Sequence, residues 1–207
     1  MLRRALSAVA VTAAVVLVPS VASAAPSSTT SSLPVTTSVS YLAQGEVQLA
    51  DGRTAQVSLG EYASRLFGPR QGSLGVSIAA PCASFPCGAP ESGYAELTGA
   101  QVDFALNLGR ASVSEVPVTL TSSSYGPDGW TRTERQVTAS VTFTATGPTV
   151  RNAYSSPVCG DGSEGCRSFR LDASRPAAVT VVIDGASSSG SGTLGYGYGL
   201  DIGTPQG

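Results

Sequence analysis

Val137-Thr138-Ala139-Ser140-Val141-Thr142-Phe143-Thr144-Ala145 puts an apolar side chain at every odd position and a hydroxyl at every even one. Successive side chains of an extended chain point to opposite faces, so a period of two describes a strand with one buried and one wetted face. The pattern recurs in both directions from this stretch. Ala177, Val179, Val181 and Ile183 form a further strand, and Val182 on the other parity suggests cover on both faces. Upstream, Val102, Phe104, Leu106 and Leu108 alternate with Gln101, Asp103 and Asn107, the cleanest such run, and predict a strand over 102–108. Val113 is out of step with Val116, Val118 and Leu120, so an extra residue at Ser114-Glu115 predicts a β-bulge. Pro117 has no N–H to give to a ladder and predicts an edge position.

Between these runs lie turn signals. Asp51-Gly52 separates Val47 and Leu49 from Ala55, Val57 and Leu59, which reads as a hairpin. Leu74, Val76 and Ile78 alternate again. Ser58 with Glu61 has capping-box spacing, Tyr62, Leu66 and Phe67 share a helical face, and Gly68-Pro69 ends the run, predicting a short helix near 59–67. In the C-terminal stretch Leu194, Tyr196, Tyr198, Leu200 and Ile202 occupy one parity and Gly195, Gly197 and Gly199 the other. One face of that strand is bare, which suits close backbone approach by a neighbour within the fold or by a ligand. Together these elements predict an all-β chain, an antiparallel two-sheet β-sandwich of about ten short strands, with a small barrel as the alternative.

Residues 1–24 read as a cleavable secretion signal: Arg3-Arg4, an apolar run from Ala5 to Val18, and Ala22-Ser23-Ala24 before Ala25. The apolar run is shorter than the roughly 20 residues that span a bilayer, so no membrane span is expected in the mature chain. Residues 25–40 follow as a flexible leader, ten of the fourteen from Ser27 to Ser40 being Ser or Thr, with Val35, Val39 and Tyr41 as a possible strand start. Residues 41–207 are read as one domain. Of 207 residues, 183 remain after cleavage; losing Arg3 and Arg4 from twelve basic residues leaves ten against fourteen acidic ones, a balance of −4. An acidic chain without basic clusters argues against nucleic acid as a partner.

All twelve basic residues are Arg; Lys and His are absent. That excludes Ser-His-Asp and Cys-His constellations, His zinc ligands, Ser-Lys dyads and Schiff bases. Cys82, Cys87, Cys159 and Cys166 form an even set in an exported chain and are expected as two structural disulfides. Closeness favours Cys82–Cys87 and Cys159–Cys166 among three pairings, each loop contributing roughly 2 to 2.5 kcal/mol. No cofactor or metal is implied: Gly190-x-Gly192-x-x-Gly195 precedes a strand rather than the helix a dinucleotide fingerprint needs, and Asp161 with Glu164 falls short of a calcium shell. Asp103, Glu115 and Glu134 are the carboxylates on predicted strands, with nothing to pair them at glycosidase spacing. Tyr125 and Trp130 flank the turn Gly126-Pro127-Asp128-Gly129 and form the candidate ligand-binding pair, an aromatic platform for sugars, set against the reading that they merely cover the fold.

The expectation is therefore a secreted protein, extracellular or held at a bacterial cell wall, that binds a cell-wall glycan or an extracellular protein without catalysis. The alternatives are a carboxylate-dependent hydrolase of extracellular polysaccharide, and a secreted protease inhibitor presenting the Cys82 to Cys87 loop, stiffened by Pro81, Pro86 and Pro90.

Overall fold

The computed structural model describes residues 35–64, 68–79, 89–127, 129–157 and 166–203. Ten antiparallel strands account for most of them: β1 (Val35–Gln48), β2 (Thr54–Ser64), β3 (Gly68–Ala79), β4 (Glu91–Thr98), β5 (Asp103–Phe104), β6 (Arg110–Gly126), β7 (Gly129–Ala145), β8 (Val150–Ser156), β9 (Cys166–Ile183) and β10 (Ala186–Gly203). The all-β expectation holds, and no helix occurs among the described residues. The strands belong to one sheet rather than two. Its order runs β10-β1-β2-β3-β4-β6-β7-β9-β8, and β10 also pairs with β9, so eight strands close into a ring with β5 attached to β6 and β8 to β9.

The alternating runs supply the interior. Val137, Ala139, Val141 and Phe143 of β7, Val179 and Val181 of β9, Ala55, Val57 and Leu59 of β2, and Leu74, Val76 and Ile78 of β3 are all buried in one cluster. Phe143 is completely buried, and small residues on the facing strands make room for it. A Cβ on Gly45 of β1 would lie 2.8 Å from Val179 Cγ1 and 3.0 Å from Phe143 Cε1, so any larger residue there would displace the ring's filling. The ring is thus packed through with side chains.

Two of the turns follow their sequences. Asp184-Gly185, both at positive φ (49° and 83°), joins β9 to β10 as a two-residue hairpin. Gly52 (φ 83°) sits in the β1–β2 turn, closed by the Leu49 N–H donating to Arg53 O at 2.8 Å. The bulge in β6 also occurs where parity changed. Register slips between Val113 and Val116, Glu115 takes φ 54°, and its N–H donates to Ser140 Oγ at 2.8 Å. Pro117 is exposed and pairs only with Thr138 of β7, because β4 meets β6 only at Thr121 and Ser122.

Four expectations need correction. The two-sheet sandwich gives way to the single closed sheet. The helix near 59–67 is absent over its described part: residues 59–64 continue β2, paired on both sides to β1 and β3. Ladder pairing and inward burial of Leu59 override a local capping signal, and Glu61 points inward, 95% buried, to meet Arg70 Nη1 at 3.1 Å. The strand over 102–108 shrinks to Asp103 and Phe104, because Asn107 Oδ1 accepts the Gly109 N–H at 2.8 Å and Leu108 turns to φ 54°. A side chain that satisfies the backbone locally competes with a ladder. Finally, Val35 to Ser40, read as leader, already pair with β10, from Val35–Ile202 to Ser40–Gly197.

One end of the ring carries an ion-pair chain. Arg135 donates to Glu91 Oε2 from Nε (3.0 Å) and Nη2 (2.6 Å), Arg53 Nη1 lies 3.6 Å from the same oxygen, and Arg53 Nε donates to Asp51 Oδ2 at 2.7 Å. The Arg53 backbone N–H, then its guanidinium, hold the Asp51 carboxyl below the ordinary carboxylate range.

Two measurements test this architecture. Phe143→Ala should lower unfolding free energy by about 3–5 kcal/mol in denaturant titration, whereas Val150→Ala on exposed β8 should stay within about 0.5 kcal/mol. Because the folded-state pKa of Asp51 is depressed, its stabilisation is present above the unfolded carboxylate value and lost as pH falls through the folded one. The stability deficit of Asp51→Asn at neutral pH should therefore shrink on acidification, and a deficit constant with pH would contradict the arrangement.

Candidate functional site

With the interior filled, the concave features lie outside it. Alternation sends the even residues of β1, β2 and β4 and the odd residues of β3 to the outer surface, and there two hollows of about 580 and 550 Å³ follow one another along the strands. The first is lined by Gln44, Glu46, Gln56, Ser58, Gly75, Ser77, Ser92 and Ser191, among others; the second by Ser40, Leu42, Gly60, Tyr62, Gln71, Ser73, Tyr94 and Glu96. On each strand the two sets are consecutive, so they form one trough. From Ser40 to Glu46 it runs roughly 20 Å at the rise of an extended strand.

Strand register sets out its floor. Gln44, Ser58, Gly75 and Tyr94 make one cross-strand row, Leu42, Gly60, Ser73 and Glu96 the next, and Ser40, Tyr62, Gln71 and Thr98 the third. Gly60 and Gly75 leave hollows occupied by serine hydroxyls: a Cβ on Gly75 would stand 2.6 Å from Ser58 Oγ, and one on Gly60 2.9 Å from Ser73 Oγ. Tyr94 is 62% exposed and Tyr62 39%. They are offset by two strands and four residues, about 10 Å across and about 13 Å along. Gln56 Nε2 donates to Glu46 Oε2 at 3.3 Å; among the described residues the outward lining carries the carboxylates of Glu46 and Glu96 and no Arg, and Glu61 borders it with its side chain turned inward. Glu61 is already matched to Arg70, so the open charge is purely acidic.

The pair expected to bind, Tyr125 and Trp130, is elsewhere. They are direct cross-strand partners near the tip of the β6–β7 hairpin, ring centroids 5.4 Å apart at 63°, and 73% and 78% exposed. Beyond Ser122 on β6 and before Ala139 on β7 no third strand joins among the described residues, so Ser123–Gly126 and Gly129–Arg132 extend as a two-stranded ribbon. Arg132 Nη2 and Glu134 Oε1, 2.8 Å apart, lie on the same side as the rings. Neither ring covers the core.

The three strand carboxylates do not converge. Asp103 pairs opposite Ser112, Glu115 sits in the bulge, and Glu134 lies opposite Thr121, six residues along β6 from Glu115 or roughly 20 Å. Glu134 is engaged by Arg132. Cys166 is disulfide-bonded; Cys82, Cys87 and Cys159, together with Asp161, Glu164 and the inhibitor-like loop, lie outside the described residues. Gly190, Gly192 and Gly195 all lie within β10. Among the described residues no group of three or more His, Cys, Asp or Glu could hold a metal, and no helix is long and apolar enough to cross a membrane.

No protein-family model matches the sequence, and no curated protein is similar to it. Two solved structures resemble the chain weakly. A putative AttH from Nitrosomonas europaea aligns at 12% identity with a TM-score of 0.34, over 82% of this chain and 52% of that one, so this chain spans about half its length. The enduracididine biosynthesis enzyme MppR aligns at 11% identity with a TM-score of 0.27, over 87% and 91% of the two chains.

The tip geometry makes its own prediction. Trp130 fluorescence should be quenched by acrylamide in the native protein nearly as efficiently as in the unfolded chain, and Trp130→Ala should cost about 0.2–1 kcal/mol, the range of a cross-strand pair. A loss of several kcal/mol would show that the indole is packed.

Proposed function

We propose that this protein is a secreted, non-catalytic binding protein for neutral extracellular polysaccharide, which lies along the outer trough of β1 to β4. One observation carries the reading: four adjacent strands present amides and hydroxyls along one trough that also holds two exposed tyrosines and, among the described residues, no positive charge. Amides and hydroxyls both donate and accept, as a polyhydroxyl ligand requires, and a phenol ring offers an apolar face with a polar tip. The open carboxylates Glu46 and Glu96 disfavour a polyanion such as a teichoic acid. The signal-like segment at residues 1–24 and the absence of His and Lys agree with an exported binder.

The Tyr125–Trp130 ribbon tip is a second place for a sugar ring to stack, and separate variants distinguish the two. In calorimetric titration of the mature protein with soluble β-glucan, xylan and mannan fragments, Tyr94→Ala should weaken binding at least about tenfold, or about 1.4 kcal/mol, and Trp130→Ala should leave it unchanged. The reverse ranking would move the site to the ribbon. Absence of saturable binding across the neutral panel would sink the proposal.

A further inference from the structure

Where β7 ends, the ring opens. β7 pairs with β9 only from Ala145–Ala177 onward, and from Ser174 the edge of β9 is taken over by β8. The inward faces of β1, β10, β9 and β8 continue past this point, and the segment 105–109 folds across them. Between them lies a hollow of about 340 Å³, within the size range of small-ligand sites.

Its walls are mixed, with aromatic and aliphatic side chains on one part and Asn107, Thr149 and Arg151 on the other. Tyr41 is buried, stacked on Phe104 with centroids 5.3 Å apart and tilted against Tyr196 at 5.1 Å; Leu171 and Ala173 continue the surface, and Leu106 is 82% exposed at the rim. The rim is fastened rather than loose. Arg175 Nε donates to Gly147 O at 2.6 Å, the Leu108 N–H donates to Ala105 O at 2.9 Å, and the Ala145 N–H to Gly109 O at 3.0 Å. Burial, then the neighbouring Tyr196, raises the Tyr41 pKa, keeping that hydroxyl protonated as a donor at neutral pH.

Among the described residues one charge lines the hollow. Arg151 on β8 sits opposite Ala173, is exposed, and has no ion pair or hydrogen bond among the described residues, and no carboxylate lines the space. Glu61, which lies near Tyr41, is matched to Arg70. A hollow of this size that joins aromatic and aliphatic surface to an unmatched guanidinium at its edge is complementary to one kind of ligand. We infer that this hollow is a second binding site, distinct from the trough, for a small amphipathic carboxylic acid, its apolar body against Tyr41, Tyr196 and Leu171 and its carboxylate on Arg151.

The test uses the mature protein with disulfides intact and three probes of one shape: 3-phenylpropionate, 3-phenylpropan-1-ol and 3-phenylpropylamine. Ligand-observed NMR titration should give the order acid, then alcohol, with the amine weakest. Arg151→Gln should weaken the acid by about tenfold or more, the range of a hydrogen bond to a charged group, and leave the alcohol unchanged. Leu171→Asp, at a part-exposed position, should remove both, whereas Tyr94→Ala in the trough should alter neither. The inference is overturned if acid and amine bind alike, if Arg151→Gln leaves the acid unaffected, or if neither acid nor alcohol saturates. None of these outcomes bears on polysaccharide binding, so the two sites stand or fall separately.

Discussion

Strand β10 is paired along both edges, to β1 over thirteen residue pairs and to β9 over eighteen, and this double pairing turns a ten-strand sheet into a ring. Antiparallel strands stand about 4.8 Å apart, so closing the ring fixes the interior volume. The filling must then match that volume from eight directions at once. Glycines at Gly45 and Gly192 beside Phe143 show how the match is reached, with backbone where a side chain would not fit. A Cβ on Gly192 would come within 3.1 Å of Phe143 Cε1 and also meet the β1 backbone, so the residue serves the packing and the closure together. Closure also covers most edges of the long Val- and Thr-rich strands, which would otherwise be prone to aggregate, leaving β8, β5 and the β6–β7 ribbon as outer edges.

A filled interior decides where binding can occur. Phe143 fills the ring at its own level; the trough lies on the outer surface, where Gly60 and Gly75 lower the floor between longer side chains, and the smaller hollow at the end of the ring, where β7 stops before its neighbours. The two places differ in chemistry for a reason visible in strand parity. Outward positions of β1 to β4 carry mostly Gln, Ser and Glu, while the end hollow takes its aromatic and aliphatic part, Tyr41, Tyr196 and Leu171, from inward positions that ran out of partners.

How much of this could be read from the chain depends on whether the signal is local. The strand at 137–145, the Asp51-Gly52 and Asp184-Gly185 turns and the bulge at Ser114-Glu115 depend on neighbours in sequence, and of these only Asp184-Gly185 carried no explicit expectation. Ring closure was not legible, because one buried face and one wet face look the same in a sandwich and a barrel. The run 102–108 misled for the opposite reason: its alternation is real for Val102 and Phe104, but Asn107 supplies a turn that breaks it. That Tyr125 and Trp130 stand side by side was legible because a single hairpin brings them together. Tyr62 and Tyr94 were missed because they meet one surface only through the ladders of β2, β3 and β4.

The glycine face of β10 shows the same logic from the other side. Gly195, Gly197 and Gly199 pointed to close approach by either a neighbour or a ligand, and the structure supplies the neighbour. Arg170 of β9 lies across Gly199, its Nη2 donating to both Asp201 oxygens at 3.2 Å, and the hydroxyls of Ser38 and Ser40 reach over Gly199 and Gly197 from β1. A Cβ on Gly199 would overlap the Arg170 guanidinium, so the bare face is what allows a planar cation to lie flat on the sheet and meet its carboxylate from the side. Lysine, a point charge on a flexible stem, could not use that surface in the same way. In this part of the chain the glycines and the choice of arginine are two halves of one contact.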